Sequence, residues 1–204
     1  KRQVSALPLI GFETGESLPA TAEAASRVIA ESVLEASGGE PFVLVGHSSG
    51  GALALFVAGM LEHTWGVRPE AVVMLDTLTL HRGGAETDFG EQTDFYELAR
   101  GYLSEVERKS EIVLLSSARL SAMGHWFTMM TKMVIYPTTA STLLIRATVP
   151  LPGVEAGEKS TVLADEDRTI EADHFSMAMA DSEATAQIIE EWLGNREAVR
   201  GLQV

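Results

Sequence analysis

The sequence predicts an α/β fold: a mostly parallel sheet flanked by helices, with a helical insertion in the middle of the chain. Three observations carry this. Strand-length apolar runs alternate with helix-length stretches. Two of those runs, Phe42-Val43-Leu44-Val45 and Ala71-Val72-Val73-Met74-Leu75, are apolar at every position, as strands covered on both faces require. Between them, Gly46-His47-Ser48-Ser49-Gly50 joins the first run to a long apolar segment, a tight strand-to-helix turn with a serine at its tip.

In chain order, Gln3-Val4-Ser5-Ala6-Leu7-Pro8-Leu9 alternates apolar with small or polar residues and reads as a strand ending near Pro8, followed by a loop over 11–19. From Thr21 the period becomes helical. Ala24, Val28, Val33 and Leu34 gather near one face, with Glu23, Arg27, Glu31 and Glu35 mostly opposite, until Gly38-Gly39 stops the helix. The strand at 42–45 leads through the turn into a segment, 52–63, that is apolar nearly all round and so belongs against the centre of a sheet. The strand at 71–75 ends at Asp76. Strand, helix, strand, helix, strand implies parallel pairing with right-handed crossovers.

The stretch 83–133 is far longer than one crossover needs, and reads as an insertion covering the site, with helices near 92–107 and 112–131. Its Phe95, Tyr96, Met123, Trp126, Phe127, Met129 and Met130 serve either ordinary helix packing or an adaptable apolar wall for a long acyl substrate; Tyr96, Met123, Trp126 and Phe127 are the candidate substrate contacts. A strand at 142–148, a loop at 149–167, a short strand at 168–171 and an amphipathic helix at 182–193 complete a single domain over 1–204.

Composition narrows the function. The 204 residues are 46% hydrophobic, ample for a buried core. There is no cysteine, which excludes disulfides, thiolate metal sites and a cysteine nucleophile, and fits a cytoplasmic protein. A formal charge of −14 opposes nucleic-acid binding. No apolar run approaches the roughly 18 residues of a membrane span, and no pair of histidines has metal-ligand spacing. The string Gly153-Val154-Glu155-Ala156-Gly157-Glu158-Lys159-Ser160 fails as a phosphate loop, because Glu158 stands where glycine is required and would repel phosphate.

The turn at 46–50 is the nucleophile elbow of α/β-hydrolases in outline. It drives Ser48 into a strained conformation that exposes its hydroxyl; glycines at 46 and 50 avoid collision with the adjoining strand and helix. The helix starts directly behind the serine, so the Ser49 N–H points where negative charge would develop on an attacked carbonyl, as an oxyanion-hole donor. A serine hydroxyl needs a base, and the base an orienting acid. Of five histidines, His47 adjoins the serine but projects away from it, as a packing or capping residue. His63 lies at the end of the buried helix, and His81 and His125 belong to the covering region. His174, directly after a strand and before the last helix, takes the role of base. Asp76, at the end of a strand on the edge that bears Ser48, is preferred as the acid over Asp165.

The chain resembles the terminal thioesterase domains of modular polyketide synthases, nearly throughout. The resemblance rests on Val4-Ser5-Ala6-Leu7-Pro8-Leu9 with Gly11-Phe12, Leu18-Pro19-Ala20, the elbow with its strand from Pro41 to Gly51, Val72-Val73-Met74-Leu75-Asp76, Arg119-Leu120-Ser121-Ala122-Met123-Gly124, and Asp173-His174-Phe175-Ser176-Met177. It implies an α/β-hydrolase fold with Asp76 as the acid and a channel beneath lid helices. It also implies no cofactor bound by the domain, the substrate arriving on the phosphopantetheine arm of an acyl carrier protein. The expected reaction is release of a polyketide acyl chain from that carrier through an acyl-enzyme on Ser48, by hydrolysis to an acid or closure to a macrolactone. Family domains begin with dimerising helices and early strands, one leading to the second oxyanion donor; none precedes Lys1. The sequence is therefore expected to be an N-terminally incomplete domain, a homodimer only through elements absent here, and to fold poorly alone. Rival readings are a free-standing editing thioesterase, a general esterase, and a non-catalytic hydrolase-like binding module.

Overall fold

A computed structural model of the protein describes residues 2–13, 15–77, 116–134, 136–149 and 164–201. Helix α1 (Ala22–Ser37) opens with Thr21, whose hydroxyl accepts from Ala24 N–H at 3.1 Å, and closes on Gly38 in the left-handed region, φ 57°. Both ends fall where capping chemistry puts them. Strand β1 (Val43–His47) runs into α2 (Ser49–Met60), which a π-helical turn, Leu61–Trp65, prolongs. Strand β2 (Ala71–Leu75), α3 (Ser117–Met130), β3 (Ser141–Ala147), β4 (Glu166–Ile170), a 3₁₀ turn (Ser176–Ala178) and α4 (Ser182–Gly201) follow.

The four described strands form one parallel sheet in the order β1-β2-β3-β4. Because side chains alternate across a strand, neighbours on β2 enter different cores. Val72 and Met74 join Leu44 and Leu144 beneath α1, α2 and α3; Val73 and Leu75 join Leu143 and Ile145 beneath α4, with Trp192. That two-sided burial accounts for the unbroken apolar runs. The sequence reading of 42–45 as wholly buried is corrected at Val45, which is 52% exposed. It lies on an edge strand of the described sheet, where no described residue covers it.

One further expectation changes. Residues 3–9 do not form a strand: no ladder pairs them among the described residues, and Val4 is 89% exposed. Alternation supplies a strand's face but not its partner. Helix α3, within the stretch read as an insertion, buries Ala122, Trp126, Met129 and Met130, the last three in one core with α1 and α2, which is the helix-packing reading of these side chains. Three bonds tie it to the loop before α1: Arg119 to Glu13 at 2.7 Å, His125 Nε2 to the Pro19 carbonyl at 2.7 Å, and Trp126 Nε1–H to the Ile10 carbonyl at 2.9 Å. Most of the expected lid, including the helix at 92–107 and Tyr96, lies outside the described residues, as does the whole string at 153–160.

At the starting edge of the sheet, Thr142 and Asp165 clasp each other. Thr142 N–H donates to Asp165 Oδ2 at 2.8 Å, and Asp165 N–H to Thr142 Oγ1 at 2.9 Å. This fixes where β4 begins beside β3. Among the described residues, no helix is long and apolar enough to cross a membrane, and no group of three or more His, Asp or Glu could hold a metal ion.

Candidate active site

The strands of a parallel sheet all end on one edge, and the residues just beyond those ends converge. Ser48 follows β1, Asp76 follows β2, and His174 lies four residues past β4. Main-chain bonds carry the ladder one step beyond the strands: Ser48 N–H donates to the Leu75 carbonyl at 2.8 Å, and Asp76 N–H to the Ile145 carbonyl at 2.7 Å.

Ser48 sits at φ 55°, ψ −126°, a conformation an L-residue holds only under constraint. One source of that constraint is Gly46, where an added Cβ would collide with the main chain of Gly50 and Gly51. At Gly51 an added Cβ would strike the Thr77 hydroxyl. The expectation of crowding at Gly50 is corrected. A Cβ there meets nothing within 4 Å among the described residues, since the helix has already turned that position outward. The Ser48 side chain makes no capping bond to α2. Its neighbour Ser49 holds the first N–H of that helix, one of the amides a helix leaves without an internal acceptor.

Asp76 also has a positive φ, 41°, which aspartate tolerates better than most residues. Its carboxylate is engaged at both oxygens. Oδ1 accepts from Ala147 N–H at 3.1 Å, and Oδ2 lies 2.7 Å from His174 Nδ1. A carboxylate acceptor there fixes the proton on Nδ1, leaving Nε2 of the neutral ring with its lone pair. His174 is 5% exposed. Asp165, the alternative acid, is occupied at the opposite edge of the sheet by its clasp with Thr142.

The loop carrying His174 is built by two residues to which the sequence reading gave no role of their own. Asp173 Oδ1 accepts from Phe175 N–H and Ser176 N–H, both at 2.8 Å, while Ser176 Oγ accepts from Asp173 N–H at 3.0 Å. This reciprocal cap starts the 3₁₀ turn and presents His174 at its head. An Asp-x-x-Ser spacing was the available signal. His47, expected to point away from the nucleophile, places Nε2 2.6 Å from the His174 carbonyl, with the two rings 4.6 Å apart and tilted by 41°. Burial lowers its pKa below 6.5, as does the neighbouring His174; the bond to the His174 carbonyl and the Asp76 charge act more weakly in the opposite direction.

The remaining candidates are dispersed. His63 stacks on Tyr136 at 4.1 Å, and His125 is committed to Pro19. Met123 and Phe127 are half-buried on α3. Trp126 is 3% exposed within the core, so packing and its bond to Ile10 account for it without a ligand.

The family model for the thioesterase domain matches residues 2–193. The chain is 31% identical over 198 residues, 96% of its length, to polyketide synthase GfsE of Streptomyces halstedii. It is 30% identical over 193 residues, 94% of its length, to erythronolide synthase EryA3 of Saccharopolyspora erythraea. It spans 5% of the first of these proteins and 6% of the second. Among solved structures, the Vlm2 thioesterase domain bound with a dodecadepsipeptide superposes with a TM-score of 0.58 at 23% identity, over 89% of this chain and 79% of that one; the likeness is one of fold. A match that runs over nearly every residue, on the fold that places an elbow at a strand end, decides the kinship: the chain belongs to the thioesterase domain family of serine hydrolases.

Proposed function

We propose that the domain releases a polyketide acyl chain from an acyl carrier protein, with Ser48 as nucleophile, His174 as base and Asp76 as the acid that orients it. The reading is carried by the 2.7 Å pair between Asp76 and His174 on the strand edge that bears the strained Ser48. His174 Nε2 accepts the Ser48 proton as Oγ attacks the thioester carbonyl carbon. The oxyanion that forms lies toward Ser49 N–H. As the carbon–sulfur bond breaks, the imidazolium returns its proton to the departing phosphopantetheine thiolate, leaving the acyl group on Ser48. Water, or a hydroxyl of the acyl chain itself, then gives up a proton to His174 and attacks the ester. Free acid or lactone departs, and Ser48 recovers its proton. Throughout, Asp76 holds the Nδ1–H tautomer and stabilises the imidazolium. The phosphopantetheine arm arrives with the carrier, so the scheme requires no cofactor of the domain's own.

Release at the end of a synthase, rather than editing by a free-standing enzyme, is favoured by relatives in which a matching segment makes up only 5–6% of a polyketide synthase. The test is mass spectrometry of the full-length protein with a long hydroxyacyl thioester. Wild type is expected to accumulate an acyl adduct on Ser48, and Ser48→Ala to form none and to lose at least about 10³-fold in turnover. A lactone product identifies a cyclase, an acid a hydrolase. Turnover of the carrier-bound substrate by Ser48→Ala at the wild-type rate would sink the reading.

A further inference from the structure

We infer that His47 is a positioning residue: its imidazole donates from Nε2 to the main-chain carbonyl of His174 and tethers the histidine loop to the nucleophile elbow. The inference rests on the triad reading above and adds a residue to it. A carbonyl oxygen only accepts, so a 2.6 Å contact from Nε2 assigns the proton to that nitrogen. His174 is then held at two places, its carbonyl by His47 and its Nδ1 by Asp76. The Phe175 ring lies edge-on to its imidazole, 5.1 Å away at 84°. Held at both ends, the ring has little freedom to swing.

The position of His47 in the chain gives the tether its use. It is the last residue of β1 and the one before Ser48, so nucleophile and base are fastened to the same short piece of backbone although 126 residues separate Ser48 from His174 (174 minus 48). A shift of the elbow carries the base with it. Neutrality matters as well. His174 becomes an imidazolium in each half-reaction, and a second cation beside it would oppose that charge. Burial lowers the pKa of His47, and the groups acting on it by charge are His174, which lowers it further, and Asp76, which raises it.

Two variants separate a tether from simple packing. His47→Leu fills the space without a donor; His47→Gln places an amide N–H close to where Nε2 stands. In the full-length protein, the single-turnover rate of Ser48 acylation by a p-nitrophenyl ester is expected to fall roughly 10- to 100-fold in His47→Leu, the effect of a slightly misplaced base. In His47→Gln it is expected to stay within about threefold of wild type. Amide hydrogen exchange over 172–181 is expected to quicken in the leucine variant alone. Leucine matching wild type in both rate and exchange overturns the inference, and so does glutamine as impaired as leucine. Failure of wild type to acylate Ser48 overturns the triad reading instead, and the exchange comparison still decides whether His47 tethers the loop.

Discussion

A methyl group at position 46 would meet the main chain of Gly50 and Gly51, whereas one at position 50 meets no described atom within 4 Å. The two glycines of one motif are therefore predicted to respond differently to alanine. Gly46→Ala forces the elbow apart and is expected to cost about 1–3 kcal/mol, with loss of Ser48 acylation. Gly50→Ala lies within a helix and is expected to be neutral or to stabilise by up to about 1 kcal/mol. The domain's urea midpoint checks both, and equal destabilisation would remove the steric account of Gly46. The placement of Ser48, Asp76 and His174 at one edge of the sheet is legible because an elbow, a strand end and a strand-to-helix loop are local patterns. His47 was legible only in part. Its reading as a packing or capping residue did not name its partner, which is a carbonyl 127 positions away. No local pattern carries that information.

Helices and central strands were read to within a few residues wherever capping or an unbroken apolar run marked them, as with Thr21 and Gly38 around α1. The failures share a cause. Residues 3–9 have a strand's alternation without a partner among the described residues, and Val45 has a core residue's apolarity without a described cover. Each depends on a neighbour that sequence does not name. The turn after α2 shows the same dependence. Glu62, whose carboxylate has no evident local purpose, accepts from Thr139 N–H at 2.9 Å and Thr139 Oγ1 at 2.8 Å, and from Thr138 and Ala140, fastening the approach to β3. Burial alone would raise its pKa; the bonds from Thr138, Thr139 and Ala140 outweigh it and hold the carboxyl below 4.5. A carboxyl depressed in the folded state stabilises above its unfolded pKa and loses that contribution as pH falls through the folded value. The stability gap between wild type and Glu62→Gln is thus expected to be widest above pH 4.5 and to narrow in acid, measured by urea titration at a series of pH values. A gap that widens on acidification would contradict this assignment.

At the scale of the molecule, the sheet divides the described interior into two cores that share strands but not side chains. Val72 and Val73 are adjacent, both fully buried, and belong to different cores. Truncation of either to alanine is expected to cost about 1–3 kcal/mol. Because the two side chains enter different cores, the double variant is expected to equal the sum to within about 0.5 kcal/mol. A larger coupling energy in denaturant titrations would mean that the sheet transmits strain from one side to the other. The clasp between Thr142 and Asp165 has a consequence for how such a domain diversifies. Because its two bonds lock the start of β4 beside β3, a change in the length of chain between the strands is expected to leave their pairing in place. Doubling the length of a flexible crossover adds only about 0.6 kcal/mol of closure entropy. Register at the chemical edge would survive such a change, leaving selection free to rewrite the crossover without re-inventing the sheet.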